Sequence, residues 1–90
     1  MHINASLILN RAIDLVDGDR QDTHGEKEEN FQNIAVLWSA YLGMDLIPQD
    51  VANMMVLLKV ARTKTGKFNI DDYVDMAGYA GCGAELAGPI

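Results

Sequence analysis

Apolar residues recur along this chain at helical spacing, and no stretch sustains the alternation of a β-strand. The first segment, from about Asn4 to Asp17, sets Ile8, Ala12, Leu15 and Val16 on one side and Asn10, Arg11, Asp14 and Asp17 on the other, with Gly18 as a stop. The polar stretch "GDRQDTHGEKEEN" then reads as a surface connection. A second helix is predicted to begin between Glu26 and Asn30, where acidic residues suit the positive end of the helix dipole, and to stop at Gly43. Its stripe is Phe31, Ile34, Ala35, Trp38, Tyr41 and Leu42. A third helix opens at Pro48 with Asp50 in its first turn and runs to Arg62 with Val51, Met54, Met55, Leu58 and Ala61 inward. A fourth is announced by Asn69 as N-cap, with Asp72 three residues on as an acidic capping-box partner, and it carries Ile70, Tyr73, Val74 and Ala77 on its apolar side. The expected fold is a single all-α domain over residues 1–90, a four-helix bundle.

Two features of the pattern exceed what one small bundle needs. The second helix has apolar residues off its stripe, Val36, Leu37 and Ala40, so it requires cover on more than one side, and a chain of 90 residues has few elements to supply it. A homo-oligomer is therefore expected. The fourth helix holds Gly78, Gly81 and Gly83, each about 1 kcal/mol less favourable than alanine in a helix interior. Close approach of another helix, expected across a subunit boundary, is one offset, and room for a ligand is the other.

Composition narrows the function. The net charge is −6 and the basic residues do not form a stripe, which argues against a duplex-binding surface. The single cysteine, Cys82, can form no internal disulfide and has no metal-ligand spacing around it, so it is expected to be a small core residue in a reducing compartment. Asn10, Arg11 and Asp14 interrupt what would be the apolar part of a signal peptide, and no run reaches the ~20 apolar residues of a membrane span. A cytoplasmic protein without a membrane partner is expected.

Chemistry is limited to carboxylates, a few cations and a few aromatics, since neither a nucleophile elbow nor a phosphate-cradling glycine loop is present. Glu26 and Glu29, and again Asp72 and Asp75, stand three apart on a helix, the spacing at which two carboxylates share a hard cation or simply favour a helix N-terminus. Asp75 enters a stretch that is becoming apolar and needs a paired cation or a metal, for which Lys59 and Arg62 are the natural partners. Trp38 and Tyr41 are core residues or a stacking surface, and Asn30 and Asn33 are candidate partners for their polar tips. His2 and His24 are expected to be solvated, and the methionines to serve packing.

The segments "RQDTHGEKEENFQNIAVLWSAYLG", "DVANMMVLLKVAR" and "IDDYVDMAGYAG" resemble a small domain of unknown function common in tailed bacteriophages and prophages. The resemblance runs from about Arg11 to Glu85 and picks out Arg20, Gly25, Asn30, Phe31, Trp38, Tyr41, Lys59, Arg62, Asp71, Asp75 and Tyr79, with His24 where the family has a tyrosine. The chain is also distantly similar to the all-α MazG-like nucleotide pyrophosphohydrolases, which are oligomers holding Mg²⁺ with two acidic pairs. Asp72 and Asp75 match the second of those pairs, while Glu26 and Glu29 sit at a helix entrance instead of inside a helix.

Two functions are implied. In the first, a homo-oligomer holds a nucleotide or other phosphorylated small molecule between helices or subunits and needs no cofactor. Arg20, Lys59 and Arg62 would meet phosphates, Trp38, Tyr41 or Tyr79 would stack on a base beside Phe31, and Asn30 or Asp75 would read a polar edge. In a phage such a protein would sequester a signalling nucleotide of host defence. In the second, Asp72, Asp75, Glu26 and Glu29 ligate Mg²⁺ in a nucleoside triphosphate pyrophosphohydrolase. A structural or host-protein-binding helical module is the remaining class.

Overall fold

The computed structural model describes residues 2–18 and 26–88, and the described residues form four helices with no strand. They are α1 (Ala5–Asp17), α2 (Lys27–Leu42), α3 (Pro48–Arg62) and α4 (Ile70–Leu86). Three of the four starts have a capping or proline cause, and α2 begins after Glu26 without a side-chain cap. Asn4 caps α1, its Oδ1 accepting the Leu7 N–H at 2.9 Å. Pro48 supplies the first turn of α3 with its fixed φ. Asp50 Oδ2, in the same turn, accepts the Ile47 N–H at 3.0 Å. Asn69 caps α4 through the Asp71 N–H at 3.0 Å, one residue earlier than the reciprocal arrangement expected with Asp72, which is buried instead.

The stop of α2 is equally local. Gly43 takes a left-handed φ of 70°, and its N–H returns to the Ser39 carbonyl at 2.8 Å. A residue with a Cβ adopts that conformation only at a steric cost. Ser39 also ties down the following connection. Its hydroxyl accepts the Leu46 N–H at 2.8 Å and donates to the Leu46 carbonyl at 3.4 Å, so the chain turns back beside α2 before α3 begins.

The most extensive contact joins α3 to α4, followed by α1 with α4 and then α2 with α3. Glycine explains the first two. A Cβ placed on Gly83 would meet Ala52 Cβ at 3.4 Å and Asn53 Oδ1 at 3.3 Å, and one on Gly78 would meet Leu15 Cδ2 at 3.4 Å and Val16 Cγ1 at 3.5 Å. Two of the three α4 glycines thus admit neighbours from the same chain, not from across a subunit boundary as their spacing suggested. Gly81 has open space around it. Lys59 beside Asp75 and Ala52 beside Gly83 show that α3 and α4 run antiparallel.

The core is small: Phe31, Ala35, Val51, Ala52 and Cys82, with Val16, Ile34, Trp38, Tyr79 and Leu86 packed against it. Ala12 and Val74 are buried as well. The α2 stripe enters this core through Phe31, Ile34, Ala35 and Trp38 and then leaves it, because Tyr41 and Leu42 are exposed. Val36 and Leu37 on its other sides are exposed too. The periodicity therefore identifies the stripe, while a single chain leaves its last turn uncovered.

Candidate functional site

One ion pair joins the residues that the sequence singled out. Lys59, in the last turn of α3, places Nζ 2.9 Å from Asp75 Oδ2 on the second turn of α4, with the two side chains 13% and 25% exposed. An acid on a helix that is turning apolar thus obtains its cation from the antiparallel neighbour. The short distance and low exposure make this a charge-assisted contact of more consequence than a surface pair. Arg62, a turn beyond Lys59, is exposed and stands outside the pair.

The other candidates divide between core and surface. Phe31 is buried and meets Tyr79 edge to face, with ring centroids 6.3 Å apart and planes at 83°. That is a favourable aromatic geometry, and it belongs to the α2–α4 contact. Trp38 is half-buried against the core. Asn30 is exposed on the first turn of α2, and Tyr41 is 89% exposed near its end. Asp71 is exposed at the start of α4. Arg20, His24 and Gly25 lie outside the described residues. Among the described residues no hydrogen bond, ion pair or ring contact joins Asn30, Tyr41 or Arg62 to the Lys59–Asp75 pair.

The two acidic pairs stand apart. Lys27, the first residue of α2, bonds Glu85 at 3.2 Å and so fixes the entrance of α2 beside the end of α4. Glu26 and Glu29 sit at that entrance, lining an open cleft with Glu28, Gln32, Pro48 and Leu86. Asp72 and Asp75 are near the start of α4. They lie about 15–20 Å from Glu85 along the helix axis, at about 1.5 Å per residue. Oxygen ligands of Mg²⁺ lie about 2 Å from the ion, so these four carboxylates do not serve one cation in one chain. Among the described residues no group of three or more His, Cys, Asp or Glu is placed to hold a metal.

Two features were not singled out by sequence reasoning. The Lys27–Glu85 pair joins residues that no helical spacing relates. The other is at the turn between α3 and α4, where Phe68 and Tyr73 stack with centroids 5.9 Å apart and planes at 28°. The segment "TKTGKF" reads as a break between helices, and its aromatic residue beside two lysines was the available signal.

With this geometry in view, comparison with known proteins identifies the family. The model of the domain of unknown function DUF6378 matches residues 7–87. The chain belongs to the DUF6378 family. Among curated proteins, this DUF6378 chain is 47% identical over 75 residues to the Gene 55 protein of Mycobacterium phage D29, covering 83% of the chain and 50% of the relative. It is 45% identical over 75 residues to the Gene 55 protein of Mycobacterium phage L5, covering 82% of the chain and 48% of the relative. The DUF6378 chain thus spans about half the length of the curated relatives it matches. No solved structure matches it. The resemblance to a small phage domain of unknown function holds, and no helix of the described residues is long and apolar enough to cross a membrane.

Proposed function

We propose that this domain is a phage binding protein that works as a homo-oligomer and holds a nucleotide or a related phosphorylated small molecule without turning it over. The observation that carries the reading is the uncovered apolar surface. Val36, Leu37, Tyr41 and Leu42 of α2, Leu57, Leu58 and Val60 of α3, and Leu9 and Ile13 of α1 are all exposed. Single exposed apolar residues are ordinary, but runs of them on successive turns mark an interaction surface.

A second copy suits that surface by area. The chain, of 9.9 kDa, exposes 6607 Å². A compact protein of that mass exposes about 5,200 Å². The surplus of about 1,400 Å² exceeds the about 800 Å² that each partner of a standard-sized interface buries. The radius of gyration is 14.1 Å. That too is above the about 12 Å of a compact domain of this length. Gly81, with Ala80 and Ala84 exposed near it on α4, offers a further surface on which a helix can approach closely.

A nucleotide-class ligand is the reading that gives the exposed aromatic and cationic residues a common task, with a pocket completed between copies. Tyr41 stands at the end of the uncovered α2 face, and Arg62 is exposed to meet a phosphate where Lys59 is engaged by Asp75. Turnover by a MazG-like pyrophosphohydrolase is the less supported alternative, because the two acidic pairs lie at opposite ends of α4. In a phage, retention of a nucleotide without cleavage would serve to remove a signal of host defence. The same apolar faces also suit a helical module that docks on a host protein.

Incubation of the purified protein with a nucleotide panel and Mg²⁺, followed by analysis of bound and released material, tests the proposal. Intact ligand on an oligomer is expected. Released monophosphate and pyrophosphate would instead establish the hydrolase, and an oligomer that retains none of the panel would leave the helical module.

A further inference from the structure

We infer that the turn between α3 and α4 is a site for a flat aromatic ring bearing phosphate, with the ring laid on the Phe68–Tyr73 stack and the phosphate held by Arg62, Lys64 and Lys67. The inference rests on the nucleotide-class reading above and moves the decisive contact to residues 62–73. Four of the seven basic residues of this acidic chain, Lys59, Arg62, Lys64 and Lys67, fall within one short segment, and no acid lies between Arg62 and Ile70. Lys59 is taken by Asp75. The other three are exposed, and no ion pair engages them among the described residues.

The helix dipole accounts for Arg62, in the last turn of α3, but not for Lys64 and Lys67, which lie past the helix in the turn. Phe68, directly after Lys67, is 68% exposed, and Tyr73, one turn into α4, is 43% exposed. The two rings cover each other on one side and leave outer faces to solvent. Gly66, with a φ of 74°, sets the bend that carries Lys67 and Phe68 back toward the start of α4. Only glycine enters that left-handed region without steric cost. An exposed aromatic face beside cations with no carboxylate partner is the arrangement on which a base stacks while its phosphate is neutralised. The stretch is bounded by Asp71 and Asp72 in the first turn of α4, and Asp72 is buried.

Such a ligand is either a free nucleotide or a nucleotide of a single strand. Calorimetric titration of the whole protein with ATP, AMP, inorganic pyrophosphate and a short oligothymidylate separates them and tests the site. ATP is expected to bind more tightly than pyrophosphate, Phe68→Ala to weaken ATP about tenfold, and Lys64→Glu with Lys67→Glu to abolish binding, with helix content and oligomer mass unchanged. Oligothymidylate binding many-fold tighter than AMP assigns the site to a strand, and equal binding assigns it to free nucleotides. Pyrophosphate binding as tight as ATP, nucleotide binding indifferent to both variants, or no binding by any probe would overturn the site. A change of oligomer mass in Phe68→Ala would overturn it as well, by making the rings a subunit contact. Failure is distinguishable from failure of the wider reading: ATP binding that ignores these variants displaces the site and leaves the ligand class standing.

Discussion

The two longest helices are treated differently by their own chain. α4 receives α3 on one side at Gly83 and α1 on another at Gly78, where an added Cβ would already be in ordinary to tight van der Waals contact. α2 is held along one face by Phe31, Ala35 and Trp38, while Val36 and Leu37 on its other sides and Tyr41 and Leu42 in its last turn face solvent. Small residues close the interior of this domain, while its large apolar residues are disproportionately outside. Ala35 and Ala52 are completely buried, and Leu37 is 68% exposed. That exposed apolar area is the driving force on which the proposed association would draw.

Substitutions on the covered side should produce the largest losses. Phe31→Ala removes the buried ring that joins α2 to Tyr79. Its expected cost in urea unfolding is about 3–5 kcal/mol. Tyr41→Ala, ten residues along the same helix and 89% exposed, should leave secondary structure intact and alter only the concentration-dependent part of the stability. Similar losses from both would erase the distinction between the covered and uncovered positions of α2.

Next in size are two substitutions at the α3–α4 contact. Gly83→Val forces branched methyls against Ala52 and Asn53 and should cost about 1–3 kcal/mol by overpacking. Lys59→Met leaves Asp75 without its cation and should cost about 1–3 kcal/mol, with much of the loss recovered when Asp75→Leu is added. Absence of that recovery would mean that the pair does not act as a unit.

The smallest effect is the most discriminating. Gly81→Ala gains helix propensity in open space and should stabilise the isolated chain by about 0.5–1 kcal/mol. If the partner copy approaches at Gly81, the same methyl weakens association. Thermal unfolding at low and high protein concentration separates the two.

Much of this was legible in the sequence. Gly43, Pro48 and Asn69 mark their helix ends through local backbone requirements, so the boundaries follow from residue type. The Lys59–Asp75 pair was legible because an acid in an apolar stretch demands a cation and few were at hand. Periodicity tells which face of a helix is apolar but not which neighbour covers it. For that reason Gly78 and Gly83 were expected to face a partner and instead admit α1 and α3. It also left open where the acidic pairs would fall, since α2 meets the rest of the chain through tertiary contacts such as Phe31 with Tyr79. The Phe68–Tyr73 stack depends on the left-handed turn at Gly66, which spacing alone does not reveal.

For this domain to work as proposed, the uncovered apolar face must be a contact between copies. Sedimentation velocity of the 9.9 kDa chain across a wide concentration range, beside a Leu37→Glu variant, tests this most directly. The wild type is predicted to sediment as a multiple of the chain mass and the variant to shift toward the single chain with its helix content retained. A wild type that remains a single chain at high micromolar concentration would contradict it.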